Sequence, residues 1–155
     1  MNKIEDNLNS IVDGEFISEE KTESVFGTTR ARASVVQSLF ECEVTKEFNV
    51  SNLENLYYYK KLNKSKKKMA LQLLDYAIKN RSEIDKKINK HIKNHKIERV
   101  AKTDLSILRM AVSEISSDIE TPIGVIVNEA VKLADVFGSD TSKNFINGVL
   151  SSMVR

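Results

Sequence analysis

Apolar residues recur at intervals of three and four along most of this chain, and that interval predicts helices. Leu105, Leu108, Val112 and Ile115 step by three, four and three within "RVAKTDLSILRMAVSEI" (99–115). Ile107, Met110 and Ala111 widen the stripe, so this segment reads as a central helix buried on much of its surface. Val35, Leu39 and Cys42, flanked by Val36 and Phe40, predict a first helix from Thr28 to near Val44, with Thr28 or Thr29 as its cap. "TKEFNVSN" reads as a loop and "LENLYYYKKL" as a short second helix. Met69, Leu73, Tyr76 and Ala77 share one face of a third helix, "SKKKMALQLLDYAIKN", whose start is crowded by Lys66, Lys67 and Lys68. Ile84, Ile88 and Ile92 predict a fourth over "RSEIDKKINKHIKN", capped by Ser82.

"TPIGVIVNEAVKLADVFG" (121–138) carries its own punctuation. Thr121 suits a cap, Pro122 the first helical position, and Gly138 the residue just past the end. The last helix is expected from Ser139 or Asp140 and carries Phe145, Val149 and Leu150. Asn128, Glu129 and Asn147 interrupt apolar faces and read as caps or bridges to neighbouring helices. Gly148 costs about 1 kcal/mol relative to alanine inside a helix, and reads as a point of close helix approach. No alternating strand pattern appears, and the chain has one proline and five glycines. The expected fold is therefore all-α, a bundle of about seven helices.

Charge adds a second layer. Residues 1–27 sustain no period and hold two lysines against seven acids, which predicts an acidic disordered leader ahead of a helical domain over 28–155. Residues 28–98 hold 16 basic against 8 acidic side chains, and residues 99–155 hold 6 against 7. A basic middle segment fits an anionic partner such as nucleic acid, and it equally fits a solvated lysine face. The leader either solubilises the chain or competes with such a partner. Arg30 and Arg32, in the expected first turn of the first helix, sharpen the question. Cations are unfavourable at the positive end of a helix macrodipole. A phosphate bound there reverses the sign; otherwise the arginines are simply solvated.

Other chemistry finds little support. His91 and His95 are spaced as two helical metal ligands, but no cysteine or carboxylate cluster completes a site and the surrounding lysines disfavour a cation. Cys42 sits among apolar positions and reads as a core or interface thiol. A lone cysteine cannot form an internal disulfide and fits a reducing, cytosolic setting. No glycine-rich phosphate loop or paired-acid signature is present, so neither catalysis nor a cofactor is expected. No apolar run approaches the roughly 18 residues that span a bilayer, and the start of the chain does not read as a signal peptide. Lysine-driven attachment to a membrane surface needs a free apolar face, which the core uses.

Three segments in order resemble one family. "VNEAVKLADVFGSDTSKNFINGVL" (127–150) is similar to the C-terminal signature of the bacterial transcription antitermination protein family NusB. "ERVAKTDLSILRMAVSEI" (98–115) looks like its preceding helix, and "RARASVVQSLFE" (30–41) like the basic start of its first. The likeness covers about 28–155 and is weak from 45 to 65. It implies a small helical protein that pairs with the ribosomal protein NusE, binds boxA RNA, and acts with RNA polymerase and other Nus factors on ribosomal RNA operons. It implies no catalytic step and no cofactor.

By the same resemblance, RNA-binding residues map to Arg30, Arg32, Phe137, Thr141, Lys143 and Phe145, although Phe145 reads equally well as core. The NusE-facing patch maps to Phe40, Val44 and Asp104. The chain departs from the family in its sparse basic start, in Thr141 where some members carry aspartate, in His95 where tryptophan is common, and in its acidic leader. A related helical domain precedes the catalytic domain of some ribosomal RNA cytosine methyltransferases. No cofactor-binding α/β segment is found in these 155 residues, so methyl transfer is not expected of them. A purely protein-binding helical scaffold with a solvated basic face is the rival from a different class.

Overall fold

The computed structural model describes residues 19–93 and 96–155, and side chains from residue 27 onward. Seven α-helices and no strand occur among the described residues: α1 (Glu19–Thr45), α2 (Tyr57–Lys60), α3 (Lys64–Lys79), α4 (Arg81–Lys90), α5 (Lys102–Ser116), α6 (Ile123–Phe137) and α7 (Ser142–Met153). Short 3-10 turns at Leu53–Asn55 and Ile97–Arg99 join them.

Helix α5 is the centre. Every residue from Asp104 to Glu114 is buried, so the widened apolar stripe has become burial on all sides. It packs against α1, α3, α4, α6 and α7. Leu105, Ile107, Leu108, Met110 and Val112 meet Val35 and Leu39 of α1, Leu73 of α3, Ile84 and Ile88 of α4, and Ile146 and Leu150 of α7 in one core. Each such side chain contributes about 1.5–3 kcal/mol by leaving water. Cys42 lies in the same interior, its Sγ 3.5 Å from the Asn49 carbonyl.

Several boundaries differ from the sequence pattern. Helix α1 begins at Glu19, so Thr28 and Thr29 lie inside it and cap nothing. Of the expected leader, residues 1–18 lie outside the described residues, and residues 19–27 are helical. Gly27 is buried against α3, where an added Cβ would come within 3.3 Å of Lys66 Cγ, so the helix continues past its expected start across a neighbouring element. The expected second helix divides into the turn at Leu53–Asn55 and the single turn of α2. Asn80, not Ser82, precedes α4, and His91 ends it. Pro122 is the residue before α6, and Thr141 the residue before α7.

Candidate functional site

Arg30 and Arg32 have different surroundings. Neither lies at a helix mouth, because α1 starts eleven residues before Arg30. The first-turn N–H groups of α1 are therefore not beside them, and the dipole reason for a phosphate there is removed. Arg30 is half-buried. Arg32 is 3% exposed and points into the protein. Its Nε and Nη2 each donate to the Glu114 carboxylate at 2.7 Å, while Nη1 lies 3.8 Å from Glu129 Oε2. The expected phosphate contact of Arg32 gives way to a role inside the fold.

That role is to join three helices. Thr29 Oγ1 on α1 donates to Glu129 Oε2 on α6 at 2.7 Å, and Lys132 Nζ donates to Glu129 Oε1 at 3.2 Å. Glu114 stands on α5. The bidentate fork satisfies both carboxylate oxygens of Glu114, which offsets the cost of burying an ion pair. Glu129 bridges helices as its sequence position implies. Asn128 and Asn147 are exposed instead, and Asn147 accepts a 3.4 Å bond from Ser151 of its own helix.

A second polar cluster tethers the far end of α1. Arg109 on α5 donates to Glu43 Oε2 at 2.7 Å and to both oxygens of Asp85 at 2.9 Å. Phe48 stacks against Arg81, whose Cζ lies 3.5 Å from the ring centre. Burial opposes the Glu43 charge, but hydrogen bonds from Arg109 and Lys46 outweigh it and hold the carboxyl below its ordinary value. Burial likewise opposes the Arg109 charge, and the bonds to Asp85 and Glu43 raise its pKa all the same.

Next to α1 lies an open apolar groove of about 380 Å³, lined by Val36, Gln37, Phe40, Leu56, Thr103 and Phe137 among others. Phe40 is 40% exposed and Val44, one turn on, is 52% exposed. Asp104 follows the groove residue Thr103 and is 8% exposed, with Oδ1 accepting no hydrogen bond among the described residues. The structure thus brings Phe40, placed by resemblance at a protein interface, beside Phe137, placed at an RNA interface. Leu56 and Thr103 complete the groove without any signal of their own in the sequence. They come from separate elements, and nothing local marks them as neighbours of Phe40.

The α6–α7 corner presents the other expected residues. Thr141 and Lys143 are exposed, and Lys143 Nζ lies 3.4 Å from Asp135. Phe145 is half-buried against the core and lines a different groove, with His91, Lys93, Gly148 and Arg155. Phe137 and Phe145 thus line two different grooves. Gly138 permits the sharp corner by lacking a side chain: a Cβ would fall on the Ser142 hydroxyl and 2.7 Å from the Ala134 carbonyl. Its φ is −92°, so space and not left-handed backbone requires glycine. Gly148 faces open space, so no close helix approach explains it.

His91 Nδ1 lies 3.0 Å from Ser152 Oγ, and His95 falls outside the described residues. No group of three or more His, Cys, Asp or Glu side chains is arranged to hold a metal among the described residues. No helix among the described residues is long and apolar enough to cross a membrane.

A central buried helix, an internal charge network and an open groove over α1 define a small all-helical binding protein. Residues 29–155 match the NusB family model, and the chain belongs to the NusB family. That family is non-enzymatic. The chain is 36% identical over 125 residues to the transcription antitermination protein NusB of Alkaliphilus oremlandii, covering 81% of this chain and 91% of that one. It superposes on T. maritima NusB with a TM-score of 0.74 and 26% identity, covering 81% and 89% of the two chains. It superposes on a structure of antitermination factors NusB and NusE in complex with dsRNA with a TM-score of 0.72 and 27% identity, covering 81% and 93%.

Proposed function

We propose that this protein binds boxA RNA together with the ribosomal protein NusE. As a transcription antitermination factor, it then keeps RNA polymerase processive on ribosomal RNA operons alongside other Nus factors in the cytoplasm. The observation that carries this reading is the likeness, over 93% of the matched chain, to a NusB captured with NusE and RNA.

In this reading the NusE face is the groove beside α1, where Phe40 and Val44 offer exposed apolar surface. The Asp104 carboxylate, lacking a donor for Oδ1 among the described residues, accepts one from a basic group of the partner. RNA contacts fall to Arg30 and to the α6–α7 corner with Thr141 and Lys143, with Phe137 and Phe145 on either side of it. Both rings are half-buried against the core, and the edge each leaves open can stack on an unpaired base. Arg32 supports this surface from within by holding α1 to α5 and α6.

The test is a mobility-shift titration with boxA RNA and a scrambled RNA of equal length, with and without NusE. Tighter binding of boxA in the presence of NusE is expected. Equal binding of both RNAs in both conditions returns the protein to the class of helical scaffolds with a solvated basic face.

A further inference from the structure

Six lysines fall within nine residues across α2, the turn after it and the start of α3: Lys60, Lys61, Lys64, Lys66, Lys67 and Lys68. No acid lies between Glu54 and Asp75. Outside this stretch five lysines, Lys46, Lys79, Lys86, Lys132 and Lys143, each have a carboxylate oxygen within 3.4 Å. Lys64, Lys66, Lys67 and Lys68 form no ion pair among the described residues. This unneutralised density repels itself and opposes folding unless an anion approaches.

The patch also has shape and rings. Tyr59, Lys64, Lys67, Lys68 and Leu71 line a shallow depression. Lys61 Nζ lies 4.8 Å from the centre of the Tyr57 ring, and Lys67 Nζ 5.6 Å from that of Tyr59. Tyr57 is exposed. The Lys66 stem packs at Gly27 of α1, and Arg30 lies three residues on, along the same helix face. The lysines therefore continue a basic surface that begins at Arg30.

We infer that the lysine–tyrosine face of α2 and α3 is a second RNA-contact surface, holding backbone phosphates without reading bases. It rests on the RNA-binding reading above and extends it to a different part of the molecule. Lysine is a point charge without the planar fork that recognises a base edge, so this face adds affinity and not sequence preference. An anionic lipid surface fits less well. The bulky apolar side chains Leu73 and Leu74 of α3 are buried in the core, leaving Leu71 and Tyr57 outward, too little for an interfacial helix.

The experiment compares the full chain with a variant carrying Lys60→Gln, Lys64→Gln, Lys67→Gln and Lys68→Gln, and with the same four positions changed to Arg. Glutamine keeps helix propensity close to that of lysine, and Lys66 is left in place because it packs on Gly27. Circular dichroism and NusE affinity report folding. With NusE present, affinities for boxA and scrambled RNA are measured across salt concentrations. The glutamine variant should lose affinity for both RNAs by the same factor, on the order of ten-fold near 0.1 M salt. Its log–log salt slope should shrink by roughly 2, as for three phosphate contacts, while the arginine variant keeps both affinity and slope.

Unchanged affinity and slope in the glutamine variant would overturn the proposal, as would a loss confined to boxA. Unchanged RNA binding alongside lost binding to phosphatidylserine vesicles would assign the face to lipid instead. A wild-type chain that binds neither RNA overturns this inference and its parent reading together; a wild-type chain that binds while the variant is unaltered overturns this one alone.

Discussion

Arg32 of α1 and Glu114 of α5 form a two-pronged ion pair, with Nε and Nη2 each 2.7 Å from one carboxylate oxygen. Eighty-two residues of chain separate them. Both are buried, so removal of Arg32 strips Glu114 of its partner, and removal of Glu114 leaves Arg32 with only the longer 3.8 Å approach to Glu129. Glu114→Ala should therefore cost about 3–5 kcal/mol in urea unfolding. Arg32→Lys should also destabilise, because an ammonium cannot reproduce the fork. An unfolding midpoint of Glu114→Ala equal to wild type would show that the pair contributes nothing.

The two arginines should separate in their effects. Arg30→Ala should reduce the salt slope of RNA binding by about 0.7, the share of one phosphate on a single strand. Arg32→Ala should first lower stability, since its guanidinium is committed to Glu114. Parallel RNA titrations and unfolding curves of both variants distinguish them. An RNA loss in Arg32→Ala at temperatures where it is fully folded, with Arg30→Ala unaffected, would reverse the assignment.

The range of each contact decides what the amino-acid sequence makes legible. The burial of α5 was visible because Leu105, Leu108 and Val112 repeat with helical period and Ile107, Met110 and Ala111 fill the flanks. The corner between α6 and α7 was visible in Gly138, although the reason for glycine there is room for Ser142 and not backbone twist. The fate of Arg32 was not legible, because its acceptor stands on another helix and nothing local distinguishes a paired arginine from a solvated one. The start of α1 is hidden because Thr28 and Thr29 have the chemistry of caps, whereas the helix continues through Gly27 against Lys66 of α3. Tertiary packing overrode local propensity in both cases.

Acid should weaken the fold through Glu43. Its carboxyl is held below the ordinary value of 4.5 against the opposing effect of burial, by hydrogen bonds from Arg109 and Lys46. The folded state thus binds that proton less tightly than the unfolded chain. The contribution is fully present above the unfolded value and is lost as pH falls below it and through the folded value. Unfolding free energies at pH 7 and pH 3 should differ less in Glu43→Gln than in wild type. An identical difference would mean that Glu43 is not linked to folding.

Asp104 should show opposed effects on stability and on binding. Its Oδ1 is buried with no donor among the described residues, and such a group carries a desolvation cost. Asp104→Asn removes the charge with little change of shape. The isolated protein should then unfold at equal or higher urea concentration, while affinity for NusE falls, on the order of ten-fold for one lost charge-assisted bond. Isothermal titration with NusE alongside urea unfolding measures both. Undiminished NusE affinity would remove Asp104 from the interface.

Two glycines of the C-terminal helices should respond to alanine with opposite signs. At Gly138 a methyl group meets the Ser142 side chain and lies 2.7 Å from the Ala134 carbonyl, an atom of the backbone that cannot swing aside. Ser142 is itself buried, and its Oγ accepts the Ser139 N–H at 2.9 Å, so the corner has little slack. Gly138→Ala should cost about 1–3 kcal/mol by overpacking. At Gly148 a methyl group meets nothing within 4 Å, and the residue is inside α7. Gly148→Ala should stabilise by roughly 0.5–1 kcal/mol, from higher helix propensity and a less flexible unfolded chain. Gly148 also lines the groove that holds Phe145. Stability gained with RNA affinity lost would mean that the bare backbone there serves close approach of a ligand. Stability gained with RNA affinity intact would leave RNA with no stake in Gly148. A destabilised Gly148→Ala would contradict the open space around that position.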